Sequence, residues 1–177
     1  MQPLNYQVCE CDCGITTINN TILSLLGREN FDLHLKNKID LICVDEPTFH
    51  GTSRLAMEHI GEVISKYSSL DTMYLRAVPI NILINSLKDM DFSKIRLVIR
   101  VKYGIIKDDE HYILVVDADE NGLFIFDCYY VENITLSRVH NGKEYNRYIS
   151  FEELTSERNQ KNGLYFTCDD ILFIKQD

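Results

Sequence analysis

No apolar run in this 177-residue chain approaches the ~18 residues that mark a membrane-spanning helix, so none is encoded. A basic surplus is also missing. Lys and Arg number 18 against 27 Asp and Glu, for a net charge of -9. A protein that grips phosphates needs the opposite balance, which excludes nucleic acid and anionic membranes as natural partners. The N-terminus, Met1-Gln2-Pro3-Leu4-Asn5, has neither the charged nor the apolar region of a secretory signal, and the expectation is a cytoplasmic protein. There is no internal repeat, low-complexity tract or linker, so residues 1–177 read as one domain. Six cysteines occur, at 9, 11, 13, 43, 128 and 168. The chain is too long and too rich in core residues to need a disulfide framework. Zinc sites usually space paired cysteines by two to four residues and need a distant second pair. Cys9-x-Cys11-x-Cys13 meets neither condition, so no metal is expected. Oxidation of Cys9 or Cys11 onto Cys13, as a liability or a redox switch, stays open.

With 45% apolar and 25% charged residues, the chain has the composition of an ordinary globular protein. Its centre of organisation is Gln7 to Gly27. Ile15, Ile18, Ile22, Leu25 and Leu26 repeat at a helical period, and Gly27 stands where a helix C-terminus favours it. Cys13 therefore falls at a buried helix N-terminus, where outward N–H groups and the helix dipole favour negative charge. Such a place lowers a cysteine pKa, and thiolate is the nucleophilic form. Gln7, six residues upstream, can donate an amide N–H to a developing oxyanion. A buried structural cysteine is the competing reading of Cys13.

Residues 28–52 are ambiguous. Phe31, Leu33 and Leu35 alternate as in a strand, while Leu35, Ile39 and Ile42 suit a helix. Gly51-Thr52-Ser53 opens a second helix, with Thr52 or Ser53 as N-cap and Leu55, Ile60, Val63, Ile64 and Tyr67 on one side. His59 in that helix reads as structural. A strand is expected over 73–78. A third helix begins at Pro79, with Ile80, Leu83, Ile84 and Leu87 as its apolar side. The period then changes to that of strands at 97–101, 111–117, 123–130 and 145–149. A capping box, Ser150 to Glu153, starts a short helix, and strands follow near Tyr165 and over 171–175. Helices before antiparallel strands is an α+β order, with N-terminal helices packed on a C-terminal antiparallel sheet.

Asp119-Glu120-Asn121-Gly122 carries the Asn-Gly hairpin signal. A hairpin closing near 117 and 121 puts His111 directly opposite Asp127, within hydrogen-bonding reach. The carboxylate would fix the imidazole and leave its second nitrogen for a thiol. A surface ion pair at the strand ends is the plain alternative. Together with Cys13 and Gln7, the pair supplies nucleophile, base, orienter and oxyanion donor.

These residues resemble the papain-like cysteine peptidases that remove double-glycine leaders from bacteriocin precursors, family 39 of the cysteine peptidases. The matching features are Gln7 six residues before Cys13, Asp12-Cys13-Gly14 at a helix start, the glycine stop at Gly27, Gly51-Thr52-Ser53 before a second helix, His111-Tyr112 on a strand, and Asp127 sixteen residues later. Two positions depart: Cys128 stands where the family has proline, and Glu110 where glycine often precedes the histidine. The resemblance implies a papain-like fold and a peptide or protein substrate cut after small residues such as Gly-Gly. It implies a catalytic set of Cys13, His111, Asp127 and Gln7, and no cofactor. Many relatives head a membrane exporter; here the exporter would be a separate chain. The triad by itself leaves open a deamidase or transglutaminase-type acyl transferase, and a leader-peptide-binding module without catalysis.

Overall fold

The computed structural model describes residues 4–9, 12–43, 45, 51–103, 110–129, 137–155, 164–165 and 170–177. Helix α1 (Cys13–Leu26) is buried on more than one side. Its apolar anchors, Ile18 and Ile22, have no exposed surface. Each such burial is worth roughly 1.5–3 kcal/mol. Three buried polar residues of α1 find partners. Thr17 Oγ1 donates to the carbonyl of Tyr112 at 3.0 Å, and Thr21 Oγ1 to that of Thr17 at 2.7 Å. Asn20 exchanges two 2.8 Å bonds with the backbone of Asn5, and so ties the N-terminal segment to the helix. Gly27, at φ 75°, ends α1 in a conformation that a side chain would strain.

Helix α2 (Leu33–Cys43) resolves the ambiguity after residue 28 in favour of the helix: Leu35, Ile39 and Cys43 form its buried face, and Leu33 is exposed. Helix α3 (Arg54–Tyr67) is capped by Ser53, whose hydroxyl accepts from the Ala56 N–H at 3.1 Å. Its inner face is Ala56, Met57, Ile60, Val63 and Ile64. The expected face was rotated too far, for Leu55 and Tyr67 are exposed. His59 is exposed as well.

Strand β1 (Leu70–Leu75) lies earlier than the expected 73–78, because pairing with the last strand fixes it. Pro79 is the N-cap of α4 (Ile80–Leu87) and not its first residue. The chain continues through β2 (Ile95–Tyr103), β3 (Glu110–Ala118), β4 (Gly122–Phe126), β5 (Arg138–His140), β6 (Lys143–Tyr145), β7 (Arg147–Ser150), α5 (Phe151–Thr155), β8 (Leu164–Tyr165) and β9 (Ile171–Gln176). The capping box forms: the Glu153 N–H donates to Ser150 Oγ, and Ser150 N–H to Glu153 Oε2.

The main sheet is antiparallel, in the order β1-β9-β2-β3-β4-β7, with β8 beside the end of β2. The C-terminal strand thus lies between β1 and β2. Helices α1, α2 and α3 pack on the face that carries Val98, Tyr112, Leu114, Phe126 and Leu172. The opposite face, with Leu97, Ile99, Ile113, Ile125 and Ile171, is covered by Leu83 and Leu87 of α4 and Leu154 of α5. The α+β reading holds. Strict separation of helices from strands does not, since β1 lies between α3 and α4 and helices cover both faces.

The two Asn-Gly pairs behave differently. Asn141 and Gly142, at φ 48° and 75°, form a two-residue turn between β5 and β6. At the β3–β4 turn it is Asp119 that does the folding. Its Oδ1 accepts the N–H groups of Asn121 and Gly122 at 2.8 Å each. Gly122 is needed for close approach, because a Cβ there would lie 2.4 Å from the carbonyl oxygen of Ile149 on β7.

Candidate active site

Cys13 is the first residue of α1, directly after Asp12. The Asp12 carboxylate does not cap the helix. It turns back to accept the N–H groups of Val8 and Cys9, at 3.1 and 3.2 Å, and so ties the backbone of those two residues to the helix start. Gly14 has a steric reason to be glycine: a Cβ would meet Thr52 Oγ1 at 2.2 Å. The Gly51-Thr52-Ser53 stretch therefore packs against the first turn of α1, beside Cys13, while its serine caps α3. Asp45 holds that serine through both its N–H and its hydroxyl.

His111 and Asp127 meet. Asp127 is fully buried, and its Oδ1 lies 2.7 Å from His111 Nε2. Their register differs from the sequence expectation. Leu114 pairs with Phe126 and Val115 with Ile125, and a bulge follows before Asp117 pairs with Phe124. Continued past the end of β4, this register sets Asp127 across from Ile113, so His111 reaches it diagonally. Diagonal neighbours are about 7–8 Å apart, within reach of long side chains. The shift comes from the turn, which closes at Ala118 and Leu123 instead of 117 and 121, and the bulge takes one residue of it back.

Asp127 is held from several sides. Its N–H donates to Asn146 Oδ1 at 2.9 Å and its carbonyl accepts from Asn146 Nδ2 at 2.8 Å. The Tyr129 N–H donates to Oδ1 at 3.0 Å, and Arg147 Nη1 lies 3.9 Å from Oδ2. The Tyr129 ring stands edge-on to His111 at 6.1 Å. Sequence reasoning missed Asn146, Arg147 and Tyr129. Only their nearness to Asp127 in the fold marks them.

The Cys13 thiol and the His111 ring are near enough to shift each other's ionisation. Burial pushes the thiol pKa up. The interaction with His111, the charge of that ring and the N–H groups of Tyr112 and Gly14 outweigh burial and set it below the usual 9.0. Burial also pushes His111 down, but the hydrogen bonds and charges of Asp127 and Cys13 raise it to about 10. The two shifts together favour a thiolate beside an imidazolium. The other buried thiols go the opposite way: burial raises Cys43 to about 12 and Cys128 well above its usual range. Cys13, Cys43 and Cys128 are free thiols; Cys11 and Cys168 lie outside the described residues.

Gln7 lies beside this centre. Its N–H donates to the Cys128 carbonyl at 3.1 Å, its Nε2 donates to the Cys9 carbonyl at 2.9 Å, and its Oε1 accepts from Cys128 Sγ at 3.2 Å. The Cys128 sulfur is also 3.7 Å from the Cys13 carbonyl oxygen, which places the carboxamide next to the first turn of α1. The fold therefore brings all four sequence-predicted residues into one neighbourhood. Among the described residues no group of three or more His, Cys, Asp or Glu could hold a metal ion, and no helix is long and apolar enough to cross a membrane.

Over 98% of its length the chain superposes on a solved structure of the peptidase domain of Streptococcus ComA, a bi-functional ABC transporter involved in a quorum-sensing pathway, at a TM-score of 0.56, 17% identity and 98% coverage of that domain. The chain has that domain's fold. A second solved structure, the peptidase domain of Streptococcus mutans ComA, matches 97% of the chain at 18% identity with a TM-score of 0.44. No family model matches the sequence, and a search of curated proteins finds no match.

Proposed function

We propose that the chain is a papain-like cysteine peptidase, one domain over residues 1–177, acting in the cytoplasm on a peptide or protein substrate. The observation that carries this reading is the chain of contacts from Cys13, at a helix N-terminus, through His111 to buried Asp127. The fold shared with the ComA peptidase domain supports it independently. In the proposed reaction the Cys13 thiolate attacks the scissile carbonyl. The backbone N–H of Cys13 and one N–H of the Gln7 carboxamide hold the oxyanion. His111 gives its proton to the leaving amine and then draws a proton from the water that releases the acyl group. Asp127 keeps the imidazolium oriented and charged. The residue types need no cofactor. By the resemblance, cleavage follows small residues such as Gly-Gly at the end of a leader, and a separate exporter receives the product.

A panel of synthetic peptides, some ending a leader in Gly-Gly, tests this by product mass. Cleavage adds one water across a broken bond and must vanish in Cys13→Ala with the fold intact. Conversion of an amide to an acid without a break would move the protein to the deamidase class. Full activity in Cys13→Ala would defeat both assignments. Iodoacetamide separates catalysis from mere binding: Cys13 should react faster at neutral pH than buried Cys43 and Cys128, and equal rates would leave a peptide-binding module.

A further inference from the structure

Cys128 is a motif residue that the proposed chemistry leaves unused. It is 2% exposed, follows Asp127 directly, and stands where the resembled family has proline. We propose that Cys128 is a positioning residue, whose S–H fixes which way the Gln7 carboxamide faces and thereby aims its amide nitrogen at the oxyanion. This rests on the peptidase reading and adds a part to its machinery.

Three features of the geometry point there. First, the backbone of Gln7 is pinned to the same residue, by its N–H to the Cys128 carbonyl at 3.1 Å. Second, the Cys128 sulfur is closer to Gln7 Oε1, at 3.2 Å, than to its two other polar neighbours, Thr17 Oγ1 at 3.6 Å and the Cys13 carbonyl at 3.7 Å. Third, the orientation of the carboxamide is over-determined. The Cys9 carbonyl can only accept, so the NH2 end must face it, at 2.9 Å. The oxygen end must then face the sulfur. A protonated thiol is the donor this requires, and burial keeps Cys128 protonated by raising its pKa. Of the two hydrogens on Nε2, the Cys9 carbonyl takes one and the second remains for the substrate oxyanion. Proline at 128 could offer no such donor. Here the carboxamide is instead oriented by a side-chain thiol.

The test uses p-nitrophenyl acetate, a small acyl donor that needs no peptide recognition. The Cys13 thiolate forms a thioester with the acetyl group, the ester C–O bond breaks, and p-nitrophenolate leaves and is read by absorbance. Cys128→Ala should slow acylation by roughly tenfold, short of the ~10²–10³ that complete loss of an oxyanion donor costs. Cys128→Ser, which keeps a donor, should recover most of the rate. Cys128→Ala made in a Gln7→Ala background should cost nothing further. Iodoacetamide alkylation of Cys13 passes through no oxyanion and should proceed at the wild-type rate in Cys128→Ala. If the Gln7 and Cys128 effects multiply, or alkylation slows in step with acylation, Cys128 is only a packing residue and the inference falls while the peptidase reading stands. If the wild-type protein gives no acyl-enzyme, both fall together.

Discussion

Two carboxylates are buried to the same degree in this molecule and serve different ends. Asp127 is 0% exposed and Asp170 is 1% exposed. Asp127 meets a titratable ring, His111, which in turn meets a thiol. Asp170 meets Arg54 Nε at 3.0 Å, the Tyr74 hydroxyl at 2.9 Å and the Ala77 N–H at 3.3 Å, with Arg100 Nε at 4.0 Å. Those partners carry fixed charge or none at neutral pH. They tie α3, β1 and β2 to the start of β9, and they hold Ala77 at its positive φ of 53°. Both networks perturb a neighbour: burial raises the Tyr74 pKa, with Asp170 adding to it, as Asp127 does for His111. A shifted pKa alone therefore does not mark a site. What separates the two is a thiol at the end of one chain and its absence from the other.

The sharpest way to break the comparison is to neutralise each acid in turn. Asp127→Asn should lower kcat by on the order of 10²–10⁴, the contribution of general acid–base catalysis, because His111 loses its orienter. Asp170→Asn should leave the thiol chemistry alone and cost stability, about 3–5 kcal/mol, as breaking one side of a buried ion pair does. Denaturant unfolding and iodoacetamide kinetics on both variants check this. If Asp170→Asn slowed alkylation of Cys13 as much as Asp127→Asn, the division into a reactive and a structural network would be wrong.

A pH profile gives the next largest effect. Cys13 has a lowered pKa and His111 a raised one, to about 10. Turnover should therefore rise as the thiol ionises below pH 9 and fall as the imidazolium is lost near pH 10. Stability follows the same signs. The contribution of His111 is fully present below its usual value of 6.5 and is lost as pH rises through about 10. The contribution of Cys13 is present above 9.0 and is lost as pH falls through its lowered pKa. In Asp127→Asn the alkaline limb should move to lower pH; in Asp170→Asn it should not.

The contrast also explains what the sequence made legible. Cys13, His111 and Asp127 could be found because each lies at the end of a strongly patterned element, and chain ends of regular elements are where side chains converge. The helix α1 and its stop at Gly27 follow from spacing alone. The diagonal register did not, because the turn closes at Ala118 and Leu123, wider than the Asn-Gly signal suggests, and the bulge between Val115 and Asp117 only partly offsets this. The central place of β9 was equally hidden. Ile171, Leu172 and Ile174 are all fully buried, which signals a strand covered on both faces but not which strands flank it. Asp170 was passed over for a related reason. Its partners Arg54, Tyr74 and Arg100 lie far from it along the chain, and no local period connects them.

The smallest predicted effect probes whether the two networks are separate at all. Tyr112 bridges them. Its backbone N–H faces the Cys13 thiol, and burial raises the pKa of its side chain, with the charges of Tyr74, Cys13 and Asp170 adding to that. Tyr74→Phe removes only the hydroxyl bonded to Asp170 and leaves the Arg54 and Arg100 charges facing that carboxylate. It should cost about 1.5–3 kcal/mol of stability, the value of a hydrogen bond to a charged group. The iodoacetamide rate at Cys13 should stay within twofold of wild type, since a hydroxyl neutral at working pH adds no charge to the thiolate's surroundings. A larger change in that rate, with the fold intact, would mean that the field of Asp170 reaches the Cys13 thiol through Tyr112. The structural acid would then share in setting the thiol's reactivity.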